Sequence, residues 1–135
     1  MYKKILLLID CSDVDDVILK HVTKLAKFHK ASVSLFHVVH AHTLDQRRIL
    51  QAKAEICLSR SRKALADEGV GADYSLAEGE PSEQILQKLS EAEFDLVALA
   101  THGHRFFGDF VLGSVSKMLK HNCDVPILLI RGEKK

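Results

Sequence analysis

Apolar positions along this chain follow two alternating patterns. Short unbroken runs suit strands covered on both faces, and the first is KILLLI at residues 4–9. Between the runs, apolar residues recur at helical spacing. Behind Ser12, which reads as an N-cap with Asp15 as the capping-box acid, come Val14, Val17, Ile18, Val22, Leu25 and Phe28. SVSLFHVV at residues 32–39 is a second strand. A long polar-faced helix over residues 44–68 follows, with Leu50, Ala54, Cys57, Leu58, Ser61 and Leu65 along one side and Gly69 and Gly71 ending it. Residues 73–77 form a less apolar third strand, which predicts a place near a sheet edge. Pro81 or Ser82 opens a short helix that turns Ile85, Leu86 and Leu89 inward. Residues 94–100 make the fourth strand, 111–122 the last helix and 126–131 the fifth strand.

This alternation predicts a single α/β domain over residues 1–135, a three-layer sandwich with helices on both faces of a parallel sheet. In such folds ligands lie beyond the carboxyl ends of strands, where the strand order reverses. Attention therefore falls on the loops after the first and fourth strands. The second of these is the longest strand-to-helix connection in the chain.

Composition narrows the choice of partner. A formal charge of +1 argues against a dedicated nucleic-acid binder. The basic stretch at residues 45–63 and the acidic one at 78–95 read as solvated helix faces. No apolar stretch reaches membrane-spanning length, and the opening apolar run is shorter than the core of a secretion signal, which together predict a cytoplasmic protein. Cys11, Cys57 and Cys123 are odd in number and widely spaced, so they are expected to be reduced thiols, Cys11 serving as a small packing residue.

Two phosphate-binding motifs are excluded. The first strand-to-helix turn, DCSDVDD, lacks the glycines of G-x-G-x-x-G. GHRFFGD has P-loop glycine spacing from Gly103 to Gly108, but Asp109 replaces the lysine and Phe110 the hydroxyl residue. Histidines at 37, 40 and 42 and at 102 and 104 fall on one rim of the predicted sheet; without cysteine or established ligand spacing they read as polar side chains, and no metal is expected.

The stretch ATHGHRFFGDFVLGSVSK, residues 100–117, holds three of the seven glycines. Gly103 and Gly113 let backbone amides approach a ligand. The start of the last helix favours anions, Ser114 and Ser116 add hydroxyls, and Arg105 adds a positive charge. Together these form a phosphate cradle. The alternative is an ordinary glycine-rich connection with a serine cap.

The same stretch resembles the nucleotide motif of the universal stress protein family, G-x-x-G, nine residues, then G followed by Ser or Thr. Here Ala100-Thr-His-Gly103 is followed by HRFFGDFVL and Gly113-Ser114, with Ala100 in the first glycine's place. KKILLLIDCSD, the HVV ending the second strand, GEPSEQIL and PILLIR extend the resemblance over the whole chain. It implies an adenine nucleotide alpha hydrolase-like fold with strand order 3-2-1-4-5 and ATP, with magnesium, between strands one and four. Leu8, Asp10, Val38 and Leu99 would surround adenine and ribose. Gly103, His104, Arg105, Gly113, Ser114 and Ser116 would hold the phosphates, with Ala100 and Val115 completing the set. A homodimer through the last strand, Val125 to Ile130, is also implied.

Three functions follow as expectations. The first is an ATP-binding stress-response switch acting through a protein partner. The second is an interaction module that binds no nucleotide, favoured by Ala100, whose methyl group would stand where ribose or phosphate approaches. The third is a slow ATPase, for which His102, His104 and Asp109 are the local candidate bases.

Overall fold

The computed structural model of the protein describes residues 1–12, 15–101 and 110–131. Its elements are β1 (Lys4–Leu8), α1 (Asp15–His29), β2 (Ser32–Val39), α2 (Leu44–Asp67), β3 (Ala72–Glu78), α3 (Pro81–Glu91), β4 (Leu96–Thr101), α4 (Phe110–Asn122) and β5 (Ile127–Arg131). All strand pairs are parallel, in the order β3-β2-β1-β4-β5, so the chain reverses its direction of growth across the β1–β4 pair.

Alternation along β1 builds two cores. Ile5, Leu7 and Ile9 face α1 and α2, meeting Ile18, Val22, Ala26, Leu58 and Leu65. Leu6 and Leu8 face α3 and α4, meeting Phe36, Ile85, Val97, Leu99, Val115 and Leu119. A strand sandwiched in this way has no polar face, which is why β1 reads as an unbroken apolar run. The start of β1 is joined to β4 by Asp95, whose carboxylate accepts the backbone N–H groups of Lys3 at 2.7 Å and Lys4 at 2.9 Å. Those two donors hold the Asp95 carboxyl below the usual carboxylate range.

Local chemistry sets the helix ends. Thr43 caps α2 by accepting from the Gln46 N–H at 3.0 Å, while the Gln46 side chain accepts from the His42 N–H at 2.7 Å. At the far end Gly69 takes φ +82°, and the Val70 N–H reaches back to the Leu65 carbonyl, placing Val70 in the core. Glu80 caps α3, with Pro81 in its first turn.

Two side chains predicted to face inward do not. The buried stripe of α1 runs through Asp15, Ile18, Val22 and Ala26, and Phe28 is 81% exposed, packed edge-on against His29. At about 100° per residue, Phe28 lies on the opposite side of the helix from Ala26. Leu86 lies one residue past the buried Ile85 and is 36% exposed. The predicted edge position of β3 is observed.

Candidate functional site

The site begins where β1 and β2 separate. The Ile9 N–H still donates to the Phe36 carbonyl at 2.9 Å. In a continuing parallel ladder the Ile9 carbonyl would next accept the Val38 N–H. It is taken instead by the His37 ring, whose Nδ1–H donates at 2.7 Å. The ladder between β1 and β2 stops there, while β2 continues to pair with β3 through Val39. The main-chain edge of Val38 therefore turns toward the opening between β1 and β2.

A cavity of about 30 Å³ occupies that opening. Leu8, Ile9 and Asp10 line it from the end of β1, and Phe36, His37 and Val38 from β2. Pro81 and Ile85 of α3 and Val115 of α4 close its far side. Its walls are mainly apolar, with the Asp10 side chain at the end of β1. In this conformation the cavity accommodates only about one or two waters.

Behind Asp10 the chain makes a tight turn into α1. The Asp15 carboxylate organises it: Oδ1 accepts the Asp10 N–H at 3.0 Å, and Oδ2 accepts those of Cys11 at 2.6 Å and Ser12 at 3.3 Å. The Ser12 bond is the reciprocal half of the predicted capping box. The Asp10 carboxylate accepts the Ser12 hydroxyl at 2.9 Å. Cys11 sits at φ +60°, a conformation that costs a residue with a Cβ roughly 1–2 kcal/mol.

Burial pushes the Asp15 carboxyl up from its ordinary 3.8 to about 6, against the lowering effect of its amide donors, with the Asp10 charge adding to the rise. The sign of the consequence is fixed. In the window between these values the folded protein binds more protons than the unfolded chain. Stability from this group is fully present below about pH 4 and is lost as pH rises through 6, a swing of up to about 3 kcal/mol. Urea unfolding at pH 4.5 and pH 7.5 should show this dependence in the wild type and its loss in Asp15→Asn. Parallel pH profiles for the two proteins would contradict it.

The expectation of reduced cysteines is overturned for two of the three. Cys11 and Cys57 form a disulfide between the β1–α1 turn and α2; Cys123 is free. Their separation of 46 residues gave no local signal, because only the packing of α2 beside α1 brings them together. The Asp15 carboxylate lies within 4.8 Å of both sulfurs, which as a disulfide offer no thiolate to a metal. Among the described rim histidines, His40 donates to the Gly79 carbonyl at 3.1 Å and packs edge-on against His42.

Of the residues named from the sequence, Leu8, Asp10, Val38 and Val115 come together around the cavity. Leu99 is fully buried in the same apolar cluster, behind it. Ala100 is 2% exposed and packs into the core on the α1–α2 side of the sheet. Its methyl group is therefore directed into that core, on the side of the sheet away from the cavity. Gly103, His104 and Arg105 lie outside the described residues, as do His102 and Asp109. Gly113, Ser114 and Ser116 fall within α4, which starts at Phe110 rather than at Val111 or Gly113. Sequence reasoning missed His37 and Ile9, whose contribution depends on where one ladder ends, and Pro81 and Ile85, which it assigned to helix initiation and packing.

An α/β sandwich with a cavity at the carboxyl end of β1, the strand that borders its topological switch point, has the architecture of a nucleotide-binding-type domain. The universal stress protein family model matches residues 1–131, and the chain belongs to that family. Universal stress protein YxiE of Bacillus subtilis is 28% identical over 97% of this chain and the whole of the relative. The solved structure of MJ0577, a universal stress protein of Methanocaldococcus jannaschii, superposes with a TM-score of 0.83 at 24% identity, covering 100% of this chain and 99% of that one. A universal stress protein from Archaeoglobus fulgidus, solved in complex with dAMP, gives 0.73 at 20% identity over 96% of this chain and 98% of its own.

Proposed function

We propose that this protein is an adenine-nucleotide-binding stress-response regulator, with ATP and magnesium as its working ligand, acting as a homodimer in the cytoplasm. One observation carries the reading: where the β1–β2 ladder stops, an apolar cavity opens between a strand edge and a carboxylate. Leu8, Val38 and Val115 supply apolar surface for a purine, and the Val38 N–H and C=O suit its hydrogen-bonding edge. Asp10 is placed to accept from ribose hydroxyls. The start of α4 at Phe110 favours anions, the hydroxyls of Ser114 and Ser116 and the bare Gly113 one turn on would border the phosphates, and Gly103, His104 and Arg105 would complete that set. Solved universal stress proteins that hold cAMP, dAMP or AMP support the ligand class.

A purine is larger than the cavity, so binding requires its lining to part, with the side chains of Pro81 and Ile85 at the α3 wall the ones to yield. Phosphate contacts with the segment between β4 and α4 then carry occupancy to a surface that a partner protein reads. The dimer forms through the last strand, Val125 to Ile130. β5 ends the sheet, and Leu129 is 42% exposed on it, an edge that a second copy would cover.

Calorimetric titration with AMP and with Mg-ATP tests the ligand, and sedimentation tests the dimer. Both nucleotides are expected to bind the wild type. Gly113→Val is expected to weaken Mg-ATP by about tenfold, through side-chain bulk where the ligand would approach the helix, and AMP by less. Unchanged Mg-ATP affinity in both Gly113→Val and Ser114→Ala would put the phosphates elsewhere.

A further inference from the structure

We propose that Cys11 and Cys57 are a reversible thiol–disulfide site that controls the order of the turn bearing Asp10. The bridge spans the β1–α1 turn and α2. It lies in an open groove of about 700 Å³ on the α1–α2 side of the molecule, separate from the cavity at Asp10. Both sulfur-bearing residues are partly exposed, so a small dithiol or a thiol on another protein can reach them.

Charged groups of both signs surround the bridge. Lys53 and Arg60 lie four residues before and three after Cys57 on α2, on the helix face that lines the groove, and Asp15 and Asp16 line it from α1. The cations favour a thiolate at Cys57 and the start of α1 favours one at Cys11, while the Asp15 carboxylate lies within 4.8 Å of both sulfurs and opposes either. The thiolate of an external dithiol attacks one sulfur of the bridge, the Cys11–Cys57 bond breaks, and the other cysteine departs with the electron pair and is protonated. The reductant's second thiol then attacks its own mixed-disulfide sulfur and expels the first cysteine, which takes the second proton. Two electrons pass from the dithiol to the bridge, the dithiol becomes a disulfide, and the protein gains two thiols. A disulfide oxidant reverses the sequence.

The Asp10–Ser12 turn is restrained from two directions in the bridged form, besides the bond from the Ser12 hydroxyl to Asp10. One is the Asp15 carboxylate, which accepts its three amides. The other is the tether to α2, which packs over β2 and β3. Cys11 is held at a left-handed φ of 60° between them. Reduction removes the tether and leaves a disfavoured conformation, one residue from Asp10, to the hydrogen bonds of the turn. The consequence for nucleotide affinity rests on the function proposed above; the redox site and the ordering of the turn do not.

The test equilibrates the whole protein in mixtures of reduced and oxidised dithiothreitol, followed by alkylation and mass measurement. Cys11 and Cys57 are expected to become reactive together, over one range of mixtures, while Cys123 follows its own course. Alkylation of both in the most oxidising mixture, or of each independently, would overturn the proposal. Hydrogen exchange at the amides of residues 10–12 should be faster by about fivefold or more in the reduced protein and in Cys57→Ser. Equal exchange in the two redox forms would also overturn it. AMP should bind the oxidised form about threefold or more tightly than the reduced one, through a better-placed Asp10. Binding to both forms with equal affinity would overturn the coupling, whereas binding to neither would sink the nucleotide reading and leave the first two readouts to decide the redox site.

Discussion

Asp10→Ala is expected to weaken adenine-nucleotide binding by roughly 10- to 100-fold while leaving the fold intact. The size follows from the bonds at stake. A carboxylate accepting from ribose hydroxyls makes charge-assisted hydrogen bonds, worth about 1.5–3 kcal/mol when one partner is deleted. The fold is expected to survive, because the Asp15 carboxylate holds the Asp10 main chain whatever the side chain at that position, and loss of the Asp10 charge relieves its repulsion of Asp15. Calorimetry and thermal unfolding on the same sample separate the two effects. A large fall in melting temperature with unchanged affinity would reverse the assignment, making Asp10 a structural residue.

Leu99→Ala should do the opposite. Leu99 is fully buried, pairs in register with Leu8 and packs among Leu6, Phe36, Ile85, Val115 and Leu119. Truncating a leucine in such a setting costs about 2–5 kcal/mol, from lost burial and the cavity left behind. For a domain of this size that is a large part of the total stability. Nucleotide affinity is expected to fall only modestly, because Leu99 supports the wall without lining the cavity. Denaturant unfolding measures the first effect and titration under folding conditions the second. A loss below about 1 kcal/mol would mean that the core under the site is looser than the packing implies.

These two residues also mark how much could be read from the sequence. Both were named for the same role by the family resemblance, which does not separate a residue lining a cavity from the one behind it. The strands were legible because burial on both faces removes the polar alternation that would blur them; β2 matches its predicted span to the residue. α1 was legible as a helix, but its inward stripe was not. Phe28 is strongly apolar, yet the stripe passes through the small Ala26 and even the charged Asp15.

The site divides along similar lines. Leu8, Asp10 and Val38 were accessible from a motif, since each occupies a fixed place relative to a strand end. The opening itself was not, because it depends on His37 taking the Ile9 carbonyl in place of the next ladder bond. Ala100 gives the clearest case. As a letter in a glycine motif it read as an obstruction, but its burial on the α1–α2 side of the sheet sends the methyl group into the core. The Cys11–Cys57 pair lay beyond any spacing argument, since α2 had to be packed beside the β1–α1 turn before the sulfurs could meet.

Crystals grown with AMP give the most direct measurement of the central claim. The account predicts density for a purine between Leu8, Val38 and Val115, its edge against the Val38 main chain, with ribose at Asp10 and Pro81 and Ile85 displaced outward. An unchanged, ligand-free cavity at saturating AMP, or a nucleotide bound at another face of the sheet, would contradict it.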